Sequence, residues 1–269
     1  MHEEATIRYF IIDAFTHRGP FTGNPAAVVL LDRWRDDPWL QNVAMEMNLS
    51  ETAFLVPNAN GYDLRWMTPT IEVDLCGHAT LAAGMALARL GKLPDQSEVR
   101  FNSRSGELCV ERRGDQFQLD FPADTIAESD EPEGLIESLG ARATEIMRGK
   151  FDYLVEVDSA AVVRQLRPDF RRLANVEARG VIVTARSDDH SCDFISRFFA
   201  PRSGIDEDPV TGSAHCTLAV YWASKIEKAR MVGFQASKRG GVVSVERQGN
   251  RVMLGGEGVI VAAGDLLIE

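Results

Sequence analysis

Apolar positions in this chain fall into short runs separated by turn residues, with two longer segments that are apolar nearly all round. Ile7 to Ala14 is rich in β-branched and aromatic residues and predicts a strand. Thr16-His17-Arg18-Gly19-Pro20 interrupts it, and Ala26 to Leu31 predicts a second strand. Asp36-Asp37-Pro38 opens a helix, with acids at the positive end of the dipole and proline at an early position. Leu40, Val43, Ala44 and Met47 then recur at helical spacing, and Asn48 is a stop signal. Thr52 to Val56 follows as a strand, so Glu51 sits where a helix has ended and a strand begins.

The two all-round apolar segments are Ala79 to Leu90 and Ala214 to Ala223. A helix without a polar face must be buried on every side. Strand-like runs surround each: 62–67, 99–101, 107–111 and 116–121 in the first half, then 151–157, 181–184, 192–199, 241–247 and 251–254. A curved sheet wrapped around a central helix satisfies this pattern, and two such units make an α+β protein, not a βαβ series.

The halves also repeat one another. Arg65-Trp66-Met67-Thr68-Pro69 parallels Arg197-Phe198-Phe199-Ala200-Pro201, and Cys76-Gly77-His78-Ala79 parallels Thr211-Gly212-Ser213-Ala214. The order in each copy is aromatic strand, proline turn, acidic loop, then a glycine opening an apolar helix, which points to duplication. The acidic, turn-rich stretch Asp124 to Gly134 marks the boundary. This predicts an N-terminal lobe over 1–123 and a C-terminal lobe over 124–269, with the last strand (Val259 to Ala262) able to pair back with the first lobe.

At 269 residues the chain is long enough for one large or two ordinary domains. Its net charge of -11 repels a phosphate backbone, and no Lys/Arg stripe with interleaved aromatics is present, so nucleic acid is not expected as a partner. No apolar run approaches the roughly 20 residues that cross a bilayer. The opening MHEEATIRYF lacks the basic and apolar regions of a secretory signal, so a cytoplasmic address and no membrane association are the expectation. The cysteines (76, 109, 192, 216) form no CxxC pair and the histidines no HExxH spacing, so no metal is expected. Gly255-Gly256-Glu257-Gly258 precedes a strand, not a helix, and is no dinucleotide fingerprint; no cofactor is expected.

Gly77 and Gly212 each open a helix, where free amides and the dipole favour an anion such as a carboxylate. Each taken alone is better explained as a tight strand-to-helix turn; their paired occurrence favours binding. Glu51, flanked by Leu49 and Ala53, has the surroundings in which a carboxylate serves as both base and acid. Taken singly, Glu51 also fits a capping or surface role, Asp208 a helix start, and His78 a core histidine. A hydrolase built on Ser213 with His215 or His78 and Asp208 is disfavoured: TGSAH lacks the GxSxG elbow, and His215 points elsewhere on the helix.

Four segments carry a resemblance: DAFTHRGPFTGNPAAVVL (13–30), NLSETAF (48–54), RWMTPTIEVDLCGHATLAAG (65–84) and EDPVTGSAHC (207–216). In content and order they resemble the PhzF-like family, named for the isomerase of phenazine biosynthesis. The resemblance implies the diaminopimelate-epimerase-like fold, two β-barrel-like lobes each enclosing a helix with the active site between them. It implies Glu51 as the proton shuttle, with His78, Asp208 and Ser213 at the other polar active-site positions. Gly77, Ala79, Thr211 and Gly212 fall in the matching turns and complete the expected substrate-binding set. The implied reaction is cofactor-independent proton movement on a small unsaturated carboxylate, as for trans-2,3-dihydro-3-hydroxyanthranilate, in a homodimer. The alternatives are a racemase or epimerase of an amino-acid-like substrate and a non-catalytic small-molecule-binding protein on the same fold. Epimerases of this fold use two cysteines, one before each helix glycine; here Cys76 is kept but Thr211 replaces the second, and a hydroxyl is a far poorer base than a thiolate.

Overall fold

A computed structural model of the chain describes residues 6–267. The chain divides into two compact units. The first runs to Asp120 and is completed by the segment from Gly255; the second is Phe121–Leu254.

In the first unit β1 (Ile7–Ala14) and β2 (Asn24–Leu30) pair antiparallel. Helix α1 (Asp37–Met47) then leads to β3 (Glu51–Asn58), which lies parallel to β2, and to β4 (Gly61–Met67), antiparallel to β3. The short β5 (Glu72–Val73) folds back on β4 before helix α2 (Gly77–Arg89). After the helix, β6 (Glu98–Ser103) pairs parallel with β4, and β7 (Gly106–Arg113) and β8 (Gln116–Pro122) continue as a meander.

The second unit opens with β9 (Ala127–Glu128) and α3 (Leu135–Leu139), then repeats that scheme. β10 (Ala143–Arg148) and β11 (Asp152–Val157) are antiparallel. Helices α4 (Ala160–Gln165) and α5 (Phe170–Leu173) lead to β12 (Gly180–Arg186), which is parallel to β11. β13 (Phe194–Ala200) is antiparallel to β12, and β14 (Ile205–Asp208) folds back on β13. Helix α6 (Gly212–Ile226) follows, then β15 (Arg230–Gln235), parallel to β13, then β16 (Gly241–Gln248) and β17 (Arg251–Gly256). The last strand, β18 (Gly258–Leu266), pairs antiparallel along β1 and therefore belongs with the first unit, although it follows the second in sequence. Each unit is a barrel-like sheet around one helix, the diaminopimelate-epimerase-like architecture.

The central helices are as buried as their sequences require. Every residue from His78 to Leu87 of α2 is buried, and α6 buries nine, including Trp222. Small side chains make this possible: Ala79, Ala82, Ala83 and Ala86 are wholly inaccessible and let strands come close. Period-2 alternation supplies the two faces of the surrounding strands. Along β3, Phe54 and Val56 join Leu40, Val43 and Ala44 of α1 in an outer cluster, while Ala53 and Leu55 fall on the opposite face of the strand. In the second unit α3, α4 and α5 supply the outer layer through Leu135, Leu139, Val163 and Leu173. Helix α1 is capped by Asp36, which accepts from the Trp39 amide at 2.8 Å, and it stops at Asn48 in the left-handed conformation. Sequence periodicity misses α3, α4 and α5, which are each six residues or shorter, too brief for a repeat to register. Among the described residues no helix is long and apolar enough to cross a membrane. The expectation placed on the first residues of the chain, 1–5, lies outside the described part.

A matched ion pair braces the loop before each central helix. Arg65 on β4 forks onto Glu72 with both contacts at 2.7 Å, and Arg197 on β13 forks onto Glu207 at 2.6 and 2.9 Å. Bidentate geometry of this kind fixes orientation as well as distance.

Two predictions follow from this packing. A Cβ built on Gly84 of α2 would lie 2.6 Å from Val110 Cγ1 on β7. Gly84→Ala is expected to destabilise the protein by about 1–3 kcal/mol through overpacking, despite the better helix propensity of alanine. In a double-mutant cycle by thermal or urea unfolding, Gly84→Ala with Val110→Ala should cost less than the two single effects together; strict additivity would place the strain elsewhere. His215 of α6 is wholly buried, with Nδ1 against the Thr211 carbonyl at 2.8 Å and Nε2 unpartnered. Burial pushes its imidazole down to about 4. The folded state therefore refuses a proton that the unfolded chain accepts, so His215 favours folding above about pH 6.5 and this is lost as pH falls toward 4. The effect amounts to about 3 kcal/mol. His215→Gln should show a smaller fall in Tm between pH 7.5 and pH 4.5 than the wild type, and an equal fall would remove His215 from acid unfolding.

Candidate functional site

The first unit gathers a polar cluster where β2 and β3 begin and α2 starts. Parallel pairing sets Glu51, the first residue of β3, opposite Ala26, two residues after Asn24 opens β2. A tight loop delivers Asn24. Its Gly23 has φ +72°, and a Cβ there would lie 2.2 Å from the Ala14 carbonyl oxygen, so only glycine fits. Cys76 is the N-cap of α2, His78 is the second residue of the helix, and no side chain caps its free amides.

Around His78 the contacts are close. Nε2 lies 3.1 Å from Glu51 Oε2, and the two side chains are 5% and 13% exposed. Apart from this ion-pair contact, buried Glu51 Oε2 has no hydrogen-bond partner. On the other side of the ring, Nδ1 lies 3.2 Å from Asn24 Nδ2 and 3.5 Å from Cys76 Sγ. Ser50 Oγ donates to Asn24 Oδ1 at 3.1 Å. An amide and a hydroxyl each donate and accept, so Asn24 and Ser50 can follow His78 in either protonation state by turning the amide over.

The electrostatics of this cluster are set by burial and by one carboxylate. Burial pulls the His78 imidazole down, but Cys76 and Glu51 outweigh it and hold it well above its ordinary value. Burial, reinforced by the Glu51 charge, pushes the Cys76 thiol up to about 11. At neutral pH the Cys76 thiol is therefore protonated, while its neighbours favour the protonated imidazole of His78.

The second unit builds the matching helix start from different chemistry. Thr211 is the N-cap of α6, and its hydroxyl donates to the Asp208 carboxylate at the end of β14 instead of capping the helix. Gln235 on β15 is wholly buried and ties these residues together: Oε1 accepts from the Thr211 amide at 2.9 Å and Nε2 donates to the Asp208 carbonyl at 2.8 Å. Ser213 Oγ accepts from Arg179 Nη2 at 3.0 Å. Arg179 in turn forks onto the buried Asp152, its guanidinium lying 5.2 Å from the Phe151 ring centre and 5.7 Å from that of Phe198.

Of the residues named from sequence, Glu51, His78 and the turn residues Gly77 and Ala79 lie together in the first unit. Asp208, Thr211, Gly212 and Ser213 lie together in the second. His215 faces the Thr211 carbonyl and forms no dyad with Ser213. Sequence reading missed Asn24, Ser50, Arg179, Asp152 and Gln235. Asn24 and Ser50 stand inside motif segments already singled out, so their position was a usable signal; Arg179 and Gln235 stand in runs with no motif.

Comparison with known proteins agrees with this architecture. Residues 12–264 match the family model described as phenazine biosynthesis-like protein. An uncharacterized isomerase of Halalkalibacterium halodurans is 47% identical over 264 residues, covering 98% of this chain and 99% of that one. The crystal structure of a PhzF-family phenazine biosynthesis protein from Enterococcus faecalis superposes with a TM-score of 0.93 at 39% identity, covering 98% of this chain and all of that one. A hydroxyproline epimerase from Agrobacterium vitis, at 13% identity and a TM-score of 0.65 over 98% of this chain and 91% of that one, shares the fold alone. Matched along nearly its whole length, the chain belongs to the PhzF-like family of phenazine biosynthesis-like proteins.

Proposed function

We propose that this protein is a cofactor-independent isomerase that moves a proton on a small unsaturated carboxylate, with Glu51 as the proton carrier. The observation that carries the reading is the Glu51 carboxylate, nearly buried, whose Oε2 faces His78 Nε2 at 3.1 Å and has no other hydrogen-bond partner. Such a group is a general base waiting for a proton donor. Glu51 takes a proton from a carbon next to the unsaturated system and returns it to another carbon on the same face. His78 offsets the charge that Glu51 loses and regains, and Asn24 with Ser50 orients the imidazole. The uncapped amides at the start of α2 suit the carboxylate of the substrate. In this reading the chain acts on a small carboxylate as a homodimer in the cytoplasm.

A second reading, suggested by the fold shared with epimerases, is inversion at one carbon by two opposed thiols. Two observations weigh against it. The Cys76 thiol, pushed up to about 11, is almost entirely protonated at neutral pH. The equivalent position holds Thr211, whose hydroxyl is already committed to Asp208.

Proton NMR in heavy water tests the isomerase reading, with trans-2,3-dihydro-3-hydroxyanthranilate as substrate. Wild type should convert it, and Glu51→Gln should lower the rate by at least about 10²-fold, the low end for loss of a general base. Equal rates would remove Glu51 from its role. If neither protein converts it, this substrate is excluded.

A further inference from the structure

We propose that the second unit carries a binding site for a small polyanion, a molecule with two or more carboxylate or phosphate groups, in an open cleft lined by Arg148, Lys150, Arg179 and Arg202. The cleft has a volume of about 470 Å³, within the range of about 300–1,000 Å³ that small-molecule sites occupy. Its cations come from three places in the fold. Arg148 ends β10, and Lys150 stands in the turn to β11 beside the half-exposed Phe151. Arg179 precedes β12, and Arg202 lies with Ser203 in the turn that follows β13.

The charge in this cleft runs against the rest of the chain. The net charge is -11, and cations elsewhere find carboxylates: Arg65 and Arg197 are forked, Arg164 reaches Asp188 and Lys225 reaches Glu145. Of the four in the cleft, only Arg179 is paired, to Asp152. Among the described residues Arg148, Lys150 and Arg202 have no carboxylate within ion-pair reach, although Glu177 also lines the cleft. Like charges gathered in this way repel, and a bound anion removes that cost. A merely solvated set of cations would be left loose, whereas these are held. Arg148 Nη1 donates to the Phe151 carbonyl at 3.3 Å, and its guanidinium lies 4.4 Å from the Tyr153 ring centre. Lys150 Nζ lies 4.9 Å from the Phe151 ring centre, and its amide donates to Asp124 Oδ1 at 3.1 Å. The Arg179 amide donates to the Phe151 carbonyl at 2.9 Å, and its carbonyl accepts from Ser203 Oγ at 3.2 Å, which fastens the turn carrying Arg202. Side chains placed in advance lose less freedom when a ligand arrives.

Guanidinium forks match carboxylate and phosphate alike, so the two share one recognition chemistry here. Several cations around one cleft are offset only by more than one anionic group, which selects a polyanion over a simple monocarboxylate. A nucleic-acid backbone is a poor fit, because the chain as a whole repels it and these cations line one concave site, not a stripe. Arg179 Nη2 also donates to Ser213 Oγ at 3.0 Å, so the cleft backs onto the start of α6. The site does not depend on the isomerase reading. Sequence spacing gave no hint of it, because its cations are spread from residue 148 to residue 202.

Isothermal titration calorimetry of the full-length protein with citrate and with pyrophosphate tests the site, in a buffer free of other polyanions. At least one probe should bind as a single equivalent per chain with a submillimolar Kd, and the affinity should fall as salt is raised. Binding of citrate alone would mark the ligand as a polycarboxylate, and binding of pyrophosphate alone as a phosphate compound. Lys150→Gln combined with Arg202→Gln should weaken binding by at least about tenfold, since each removes a charged partner of the anion. Both side chains are exposed and without ion pairs, so the fold is kept, and an unchanged Tm without ligand checks this. Lys228→Gln, beyond the far end of α6, should leave the affinity as it is. No saturable binding of either probe, an unchanged affinity in the double variant, or an equal loss in Lys228→Gln would overturn the site. Binding is read without turnover, so its failure is distinct from failure of the isomerase reading.

Discussion

A helix with no polar face exists in water only when something covers it on every side, and in this protein that cover is a curved sheet. Much follows from this. The helix must be made of small residues where strands approach, as at Ala82, Ala83 and Gly84. Its N-terminus, with three or four unpaired amides, must come out where the sheet leaves room. In the first unit the parallel pair β2 and β3 starts near that point, so the first residues of both strands join the first residues of α2. The cluster of Asn24, Glu51, Cys76 and His78 is a consequence of how the barrel is closed, not an addition to it.

The repeated scheme places different chemistry on one frame. Both copies keep the Arg–Glu fork before the helix and the glycine at its first position. The first copy then carries ionisable groups that bear on one another. The second carries a threonine hydroxyl on Asp208, a serine hydroxyl on Arg179, and a buried amide that holds the turn. A buried carboxylate–imidazole contact adds little to stability, since desolvation offsets most of the attraction. Its presence in the first copy alone, where the thiol also sits, fits a site kept for chemistry.

Much of the frame was legible in the sequence because it is governed by local rules. The strands at Ile7–Ala14 and Tyr62–Met67, the helix opened by Asp36 and stopped by Asn48, and the two apolar helices all follow from periodicity and capping. The pairing of β18 with β1 spans more than 240 residues; the sequence left it as one option for the last strand, because no local pattern selects so distant a partner. Of the site, Glu51 and His78 were visible through motif and position. Cys76 was visible only as the one retained cysteine position of the epimerases, because its nearness to Glu51 arises only when the strand and the helix start meet. Asn24 and Ser50 act through the imidazole, and Gln235 through backbone groups. Such supporting residues leave no spacing rule of their own.

The central claim is that one carboxylate carries the proton from one carbon to another on a single face. Following deuterium from trans-2,3-dihydro-3-hydroxyanthranilate, labelled at the carbon that loses its proton, tests it most directly. In ordinary water, first-turnover product should retain part of the label at the new position, because Glu51 holds the deuteron between its removal and its return. Product free of label from the first turnover, with solvent hydrogen in its place, would contradict a single carrier and point to two separate acid and base groups.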